Sequence, residues 1–306
     1  MKRCIGIVIV FWVLVLSNIG QTALIPDLYI DVGQDYNNDG DTQTARFDTF
    51  LFQDNTKSVY PVDSRADITI GTTFDDYGHA IIQNLKDTIE LFPGDPFNVY
   101  VEDENMRNGQ NDTGDWEITL YWEDLTGQVV EITSNNQGDL VATGKYNPGA
   151  TFYMYIDTTP DFSFGSSAYP DDDSGYNDGD ILIKGTLLEG HGTVTIFPYG
   201  SQQISRTGTF LIEVTEVSAS TPYIGSDTYD LSDLVGKHWL LAIAGESAAS
   251  QNLVWGGEND NDNIVYVGGD GGGSFQMYAV PEPASILLLG GGLFIIGMIG
   301  RKKLTK

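Results

Sequence analysis

The residues best suited to chemistry in this sequence are acidic side chains grouped in short loops. Oxygen-bearing side chains occupy alternate positions of the stretch DYNNDGD, namely Asp35, Asn37 and Asp39. Gly40 then permits a sharp turn, and Asp41 can offer its carbonyl oxygen. This spacing matches the first half of an EF-hand-type calcium loop, which surrounds Ca²⁺ with hard oxygen ligands. We therefore predict a Ca²⁺ site here, with a solvated Asx-rich turn as the alternative.

The end of this loop departs from a complete calcium loop. Its twelfth position is Arg46, which cannot supply the bidentate carboxylate that closes such a site. Asp48, on the strand that follows, is the carboxylate that could replace it.

Two further acidic stretches could hold cations, although their side chains are less regularly spaced. DDDSGYNDGD covers residues 171–180 and offers Asp173, Asp178 and Asp180 as ligands, while ENDNDN covers residues 258–263. Closely packed carboxylates repel one another, and a bound cation would relieve that cost. Both stretches are secondary candidates for cation sites, with solvated loops as the alternative.

No catalytic motif can be recognised in the sequence. His79, His191 and His238 lie far apart without metal-ligand spacing, and Cys4 is the single cysteine. A nucleophile elbow, a phosphate loop and a dinucleotide fingerprint are all missing from the sequence. Carboxylate pairs for glycoside hydrolysis stay open, because the many acidic residues supply many pairs. We therefore predict a protein that is not an enzyme, and keep a secreted carbohydrate-active enzyme as the alternative.

The aromatic residues allow a second kind of binding chemistry. The chain contains 16 Tyr and 14 Phe residues, many of them near Asp and Asn. Rings can stack on the apolar faces of sugars while amides and carboxylates bind sugar hydroxyls. The alternative is that alternating aromatic residues simply fill a core between sheets.

The charge distribution separates the two ends from the body of the chain. Six of the 15 Lys and Arg residues, but only one of the 43 acidic residues, lie in residues 1–23 and 281–306. The body therefore holds nine basic and 42 acidic residues, a formal charge of −33. Such a surface repels nucleic-acid phosphates and attracts divalent cations, so a nucleic-acid partner is excluded.

The elements that must position these residues are mainly strands. Short runs rich in β-branched and aromatic residues, separated by Gly, Asn, Asp and Pro, indicate an all-β fold. Alternation in WEITLYWED predicts a buried face of Trp116, Ile118, Leu120 and Trp122 and a solvent face of Glu117, Thr119 and Tyr121. We predict an antiparallel β-sandwich, with insertions or a second small β unit as alternatives.

Three segments have a less clear structure. Apolar residues recur every four positions in residues 79–92, which predicts a helix, although a strand could use the same letters. A short helical turn is predicted at residues 230–235. GGDGGGS, residues 268–274, is predicted to be a turn between two strands, with a flexible spacer as the alternative.

Both ends of the chain have the composition of processing segments. Residues 1–23 combine two early basic residues, an apolar run and small residues near Ala23, which predicts a secretory signal peptide. An extracytoplasmic β-rich domain would then cover residues 24–279. Residues 284–300 carry no charge and predict a transmembrane helix, followed by a basic cytoplasmic tail at residues 301–306.

A short proline motif precedes the predicted transmembrane helix. Pro281, Glu282 and Pro283 form a Pro-Glu-Pro motif at residues 280–283 that cannot continue a helix. The matching residues of the whole ending, in order, are Val280, Pro281, Glu282, Pro283, Ala284, the apolar run, Arg301, Lys302 and Lys303. This ending resembles that of the PEP-CTERM proteins of Gram-negative bacteria.

The resemblance implies a partner and a location. PEP-CTERM proteins are processed by exosortase, a membrane protease, in bacteria that make extracellular polysaccharide. The chain is then expected to cross the inner membrane and to be held there by its C-terminal helix until processing. After processing, the body is expected at the cell surface or outside the cell.

The body resembles the flocculation-associated members of that family more loosely. Residues 138–165 and 178–197 carry this resemblance, through an aromatic strand, a Thr-Pro-Asp turn and a later Gly-Thr strand. It implies a surface or extracellular-matrix protein that acts with polysaccharide in cell aggregation or biofilm. The alternative is a carbohydrate-active enzyme or carbohydrate-binding module with the same sorting tail.

Overall fold

The protein is built almost entirely from β-strands. The computed structural model describes residues 23–36, 38, 40–88, 99–100, 106–107, 114–134, 140–165, 170–196, 204–235, 239–247, 254–256 and 264–279. The strands are β1 Ala23–Leu24, β2 Leu28–Asp31, β3 Thr49–Tyr60, β4 Thr73–Asp87, β5 Val99–Tyr100, β6 Glu117–Glu123, β7 Leu125–Ser134, β8 Leu140–Tyr146, β9 Thr151–Asp157, β10 Asp180–Ile196, β11 Ile204–Val217, β12 Tyr223–Ser226, β13 Trp239–Ser247, β14 Val254–Gly256 and β15 Val265–Ala279. One short α-helix, α1, covers Leu231–Leu234, and 3₁₀ turns lie at Arg65–Asp67 and Pro170–Asp172.

Six strands close into a barrel because two long strands each change partner along one edge. The first half of β4 pairs with β7, and its middle pairs with β6. The first half of β10 pairs with β9, and its second half pairs with β8. Since β6 pairs with β9 and β7 pairs with β8, the order β4, β6, β9, β10, β8, β7 returns to β4.

Other strands continue the sheet outside this barrel. The second edges of β4 and β10 pair with β3 and β11, and these are linked through β15 and β13. The prediction of a β-sandwich is therefore wrong, although the strand-rich composition was foreseen. A sandwich keeps two separate sheets, whereas here all strands except β2 and β12 belong to one connected sheet in the described part of the chain.

The buried face predicted for β6 is confirmed, but its solvent face is not. Trp116, Ile118 and Leu120 are buried, and Trp122 is packed against the core. Glu117 and Thr119 are buried as well, with 0% and 3% exposure, although alternation predicted them to face solvent. The reason is that residues 158–165 and 170–179 fold over the outer face of this strand and supply hydrogen-bond partners to both.

Two other local predictions are corrected by the structure. The part of residues 79–92 that the structure describes continues strand β4 and is not a helix. GGDGGGS is not a turn either, because it lies inside the single strand β15. The short helical turn predicted at residues 230–235 is present as α1, with the Asp230 side chain capping its first turn.

The predicted processing segments lie almost wholly outside the described residues. Among the residues that are described, no helix has the length and apolar character needed to span a membrane. The helix predicted at residues 284–300 is not part of that range, so the structure gives no view of it.

Close packing inside the barrel makes one glycine sensitive to substitution. A methyl group added to Gly144 would lie 2.8 Å from the Phe74 ring, which itself meets Tyr146 edge to face. We expect Gly144→Ala to lower the free energy of unfolding by about 1–3 kcal/mol through overpacking, measured by urea unfolding.

A neighbouring glycine provides the matched control. Gly192 is the cross-strand partner of Gly144, and a methyl group there would have 3.3 Å to its nearest neighbour, Tyr146. Gly192→Ala should change the free energy of unfolding little. Alanine loses less backbone entropy on folding than glycine does, and this gain offsets the mild crowding by the added methyl group. Equal effects of the two substitutions would contradict the packing described here.

Candidate functional site

A row of side chains crosses four neighbouring strands on the outer face of the sheet. His79, Tyr121, Tyr153 and Lys184 lie on β4, β6, β9 and β10 and are direct cross-strand partners. The ring centroids of His79 and Tyr121 are 5.7 Å apart, and those of Tyr121 and Tyr153 are 6.1 Å apart. Tyr155 extends the row along β9, at 5.9 Å from Tyr153. We call His79, Tyr121, Tyr153 and Tyr155 the aromatic row.

The loop that covers β6, described for residues 158–165 and 170–179, adds one more ring to this surface. The Tyr176 ring stacks on His79, with centroids 3.5 Å apart and planes 13° apart, and lies 5.3 Å from Tyr121. The backbone oxygen of Tyr176 accepts a hydrogen bond of 2.9 Å from the Thr119 hydroxyl. The loop is thus fixed to the strand beneath it, and Tyr176 is held in place.

Asp173 ties the same loop to the sheet. Its side chain is fully buried and lies 3.0 Å from Nδ1 of His79. It also accepts hydrogen bonds from the Asn55 side-chain amide and from the backbone N–H of Gly165. One of the predicted metal ligands therefore serves to position the aromatic row.

Asp171 makes a second attachment at the edge of the loop. Lys57 Nζ lies 2.8 Å from one carboxylate oxygen, and the Tyr77 hydroxyl donates to the other at 2.9 Å. Burial acts to raise the pKa of Asp171, but the hydrogen bonds from Lys57 and Tyr77 outweigh it and lower this pKa. A lowered carboxyl pKa stabilises the fold above the unfolded-state pKa, and that stabilisation is lost as the pH falls through the folded-state pKa.

An open groove of about 520 Å³ lies between the loop and the aromatic row. Aromatic and acidic side chains form most of its walls, and the lining residues are Tyr77, His79, Tyr121, Trp122, Glu123, Asp124, Pro170, Asp171, Asp173 and Tyr176. This volume falls within the range of about 300–1,000 Å³ that is typical of ligand sites.

Polar groups at the groove are arranged to accept and donate hydrogen bonds. Glu123 accepts from the hydroxyls of Tyr121 and Tyr153 at 3.2 Å and 3.5 Å. Burial and the neighbouring Glu123 raise the pKa of Tyr121 to about 12. The Tyr121 phenol therefore stays neutral at ordinary pH, and the groove presents ring faces beside carboxylate acceptors.

The comparisons with known proteins concern the end of the chain. A family model described as the PEP-CTERM protein-sorting motif matches residues 279–303. The chain therefore carries a PEP-CTERM sorting motif, which implies processing by exosortase. No curated protein and no solved structure shows a significant match. The predicted sorting residues Val280, Pro281, Glu282, Pro283, Ala284, Arg301, Lys302 and Lys303 fall within this match, although they lie outside the described residues.

The match covers only the tail, so it fixes sorting and export and leaves the body's activity undecided. An exosortase substrate is exported and is handled at the membrane and cell surface. The looser resemblance of the body to flocculation-associated proteins receives no support from these comparisons.

The predicted calcium loop is only partly described. Asp35 accepts a hydrogen bond of 2.9 Å from the backbone N–H of Gly40, and Asp41 accepts from the backbone N–H groups of Thr42 and Gln43. These contacts cap a tight turn. Asn37 and Asp39 lie outside the described residues, so the Ca²⁺ site stays a prediction.

The residues around the end of that loop have other partners. Arg46 forms an ion pair of 2.7 Å with Asp227, in line with its unsuitability as a cation ligand. Asp48 is fully buried, and its two oxygens accept hydrogen bonds from the hydroxyls of Thr49 and Thr88. Asp48 therefore fixes the ends of two strands.

The second predicted acidic group is spread out. Asp173 contacts His79 on β4, Asp180 begins β10 opposite Ile156, and Asp178 is exposed near Asp161. The residues 258–263 are not among those described. None of Asp173, Asp178 and Asp180 belongs to a group of three carboxylates close enough to share an ion in the described part of the chain.

The group that does come together was missed by sequence reasoning. One oxygen each of Glu117, Asp157 and Asp161 lie within 4.8 Å of one another. Burial raises the pKa of Glu117, against the lowering effect of its hydrogen bonds from Phe162, Asp161 and Arg107. Glu117 was missed because alternation placed it on a solvent face, and nothing local in the sequence shows that the later loop covers it.

Glu117 has a structural role that can be tested by removing its partner. Arg107 Nη1 lies 2.7 Å from Glu117 Oε2, and the Glu117 side chain is fully buried. Arg107→Met would leave this carboxylate without its counter-charge, so we expect a loss of about 3–5 kcal/mol in the free energy of unfolding. Urea unfolding at neutral pH measures it.

Arg46→Met is the control for this experiment. It removes an equally short ion pair with Asp227, but both side chains there are substantially exposed. Exposed pairs contribute little to stability, so this variant should unfold at nearly the parent urea concentration. A similar loss in both variants would show that burial of Glu117 does not decide the effect.

Proposed function

We propose that the body of this exported protein binds extracellular polysaccharide through the aromatic row and the adjoining groove, and so acts as a matrix protein in cell aggregation or biofilm. The observation that supports this most is the placement of several stacked rings on the outer face of the sheet. Rings that only filled a core would point inward, as Phe74 and Phe152 do.

The rigidity of the surface favours binding. Tyr176 is held by a hydrogen bond and by stacking, and His79 is held by buried Asp173. A site whose rings are already fixed loses little conformational entropy when a ligand binds. Flat rings suit the apolar faces of pyranose units, while Glu123 and the phenols suit their hydroxyl groups.

The charge around the groove limits the kind of polysaccharide. Glu123, Asp124 and Asp171 line the groove, and Lys57 at its edge is already paired with Asp171. An anionic chain would be repelled at close range, and more strongly at low salt. The expected ligand is therefore a neutral or amino-sugar polymer.

The experiment uses the full chain in detergent and polysaccharide purified from the producing bacterium. Tyr121→Ala and Tyr153→Ala should each weaken retention in affinity electrophoresis by about 2- to 10-fold, because an aromatic contact contributes roughly 0.5–1.5 kcal/mol. Tyr29→Ala is the matched control, since Tyr29 pairs with Tyr223 on the separate two-stranded sheet.

Two outcomes would contradict the proposal. Unchanged retention in both row variants would remove the aromatic row from binding. Release of reducing ends from the polysaccharide, abolished by a single carboxylate substitution, would instead establish the carbohydrate-active enzyme that the sequence leaves as the alternative.

A further inference from the structure

The phenols of the groove direct their protons to carboxylates of the protein itself. The Tyr77 hydroxyl donates to Asp171, and the hydroxyls of Tyr121 and Tyr153 donate to Glu123. A phenol has one proton, so each of these oxygens has only lone pairs left for a ligand. Groups that look amphoteric in the sequence therefore act as acceptors at this surface.

The other groove side chains that can donate add little. Nδ1 of His79 lies 3.0 Å from the fully buried Asp173, so its proton also meets a carboxylate. The indole nitrogen of Trp122 is buried, so its N–H is not exposed in the open groove. The Tyr176 hydroxyl can donate, but no Lys or Arg is among the described residues that line the groove. The groove is thus rich in acceptors and poor in donors.

Such a groove selects ligands by the protons that they can donate. A carboxylate or the carbonyl oxygen of an acetamide group can only accept, so either would find few partners here. A hydroxyl group supplies a single proton. An ammonium group supplies three donors and a positive charge, and it has no acceptor that would be left unpaired.

The protein's own lysines show how an ammonium group binds at this surface. Lys57 Nζ lies 2.8 Å from Asp171 and 5.5 Å from the centroid of the Tyr77 ring, over its face. Lys184 Nζ lies similarly over the Tyr153 ring, at 5.2 Å. Lys57 is therefore held between a carboxylate and a tyrosine ring, which combines an ion pair with a cation–π contact.

The same pair of groups occurs again in the groove without a lysine. Tyr121 donates to Glu123 at 3.2 Å, as Tyr77 does to Asp171 at 2.9 Å. Glu123 is exposed, and no basic side chain in the described part of the chain forms an ion pair with it. Asp124 beside it adds a second carboxylate to the groove lining. A ligand's ammonium group would complete this arrangement.

We infer that the groove binds the protonated amino groups of an amino-sugar polymer, with Glu123 as the main partner of the ammonium group. This inference rests on the proposed function, since it names the chemistry of the ligand that the same groove takes. Chains whose amino groups are N-acetylated should bind more weakly, because acetylation removes the charge and two of the three donors.

The test compares two forms of one ligand. The probes are glucosamine oligosaccharides with free amino groups, and the same oligosaccharides after chemical N-acetylation. Binding to the full chain in detergent is measured by isothermal titration calorimetry at a pH at which the amines are protonated. The free-amine form should bind about 10- to 100-fold more tightly, as expected for one hydrogen bond between charged groups.

Glu123→Gln separates the carboxylate from the rest of the groove. Glutamine keeps the size of the side chain and one acceptor oxygen, but it has no charge. The variant should bind the free-amine form about 10-fold more weakly and the N-acetylated form as the parent does. Because Glu123 is exposed, the substitution should leave the fold intact, and urea unfolding checks this.

Glu131→Gln is the matched control. Glu131 is also exposed, but it lies on β7 and does not line the groove. Its substitution removes one charge from the same acidic surface and should leave the binding of both forms unchanged. An equal loss in the two variants would overturn the inference, because the amines would then be attracted by the acidic surface as a whole.

The outcomes also separate this inference from the proposed function. Equal binding of the two forms by the parent, lost in Tyr121→Ala, would overturn the inference and leave the proposed function standing. Retention of the producing bacterium's polysaccharide without binding of either oligosaccharide would have the same meaning. Failure to bind the oligosaccharides and that polysaccharide alike would remove both.

Discussion

The structure depends on a constraint of strand pairing: β4 and β10 are each long enough to pair with two different strands along a single edge. β4 takes β7 and β6, and β10 takes β8 and β9. The pairs β6–β9 and β7–β8 therefore connect β4 to β10 at different positions along these two long strands, and the sheet must close. Closure removes free edges from six strands, which matters for a strand-rich protein because free edges promote aggregation.

Closure also decides what can stand on each face. On the inner face, the rings of Phe74, Tyr146 and Phe210 follow one another with centroids 5.2 Å and 5.0 Å apart. They lie beside a line of cross-strand partners that are all glycine, which we call the glycine row: Gly144, Gly192, Gly208, Gly245 and Gly273. These large rings fit only because the glycines beside them carry no side chains. Outside, the same strands bring His79, Tyr121 and Tyr153 into one row, although these residues are distant in sequence.

The sequence allowed the strands and the sorting tail to be predicted, and it failed where distant pairing decides the outcome. TFYMYID forms β9, Thr151–Asp157, and its alternation is a local pattern that is visible in the sequence. Gly190 and Gly192 are residues that often interrupt a strand, yet β10 continues through both of them. In the sheet these glycines lie against the rings of Phe210 and Tyr146, so they continue the strand.

For the candidate sites too, local patterns could be predicted from the sequence, whereas contacts between distant residues could not. Acidic loops can be found by composition, and two of their residues, Asp171 and Asp173, do lie at the groove. Their roles could not be predicted, because His79, Lys57 and Tyr77 contact them only after residues 170–179 have folded against the sheet. The glycine row is the extreme case, since five glycines on five strands form a pattern only after the strands are paired in register.

The last described strand, β15, connects the inner face of the sheet to the sorting motif. β15 contributes glycines to the interior and ends at Ala279, where it pairs with Ala23 and Trp239. The sorting motif begins at once after it, and Pro281 and Pro283 have no N–H to donate to a strand ladder. The pairing of Ala23 with Ala279 also brings the predicted end of the signal peptide beside the start of the sorting motif. The body therefore meets the predicted signal peptide and the sorting motif at neighbouring positions of one sheet.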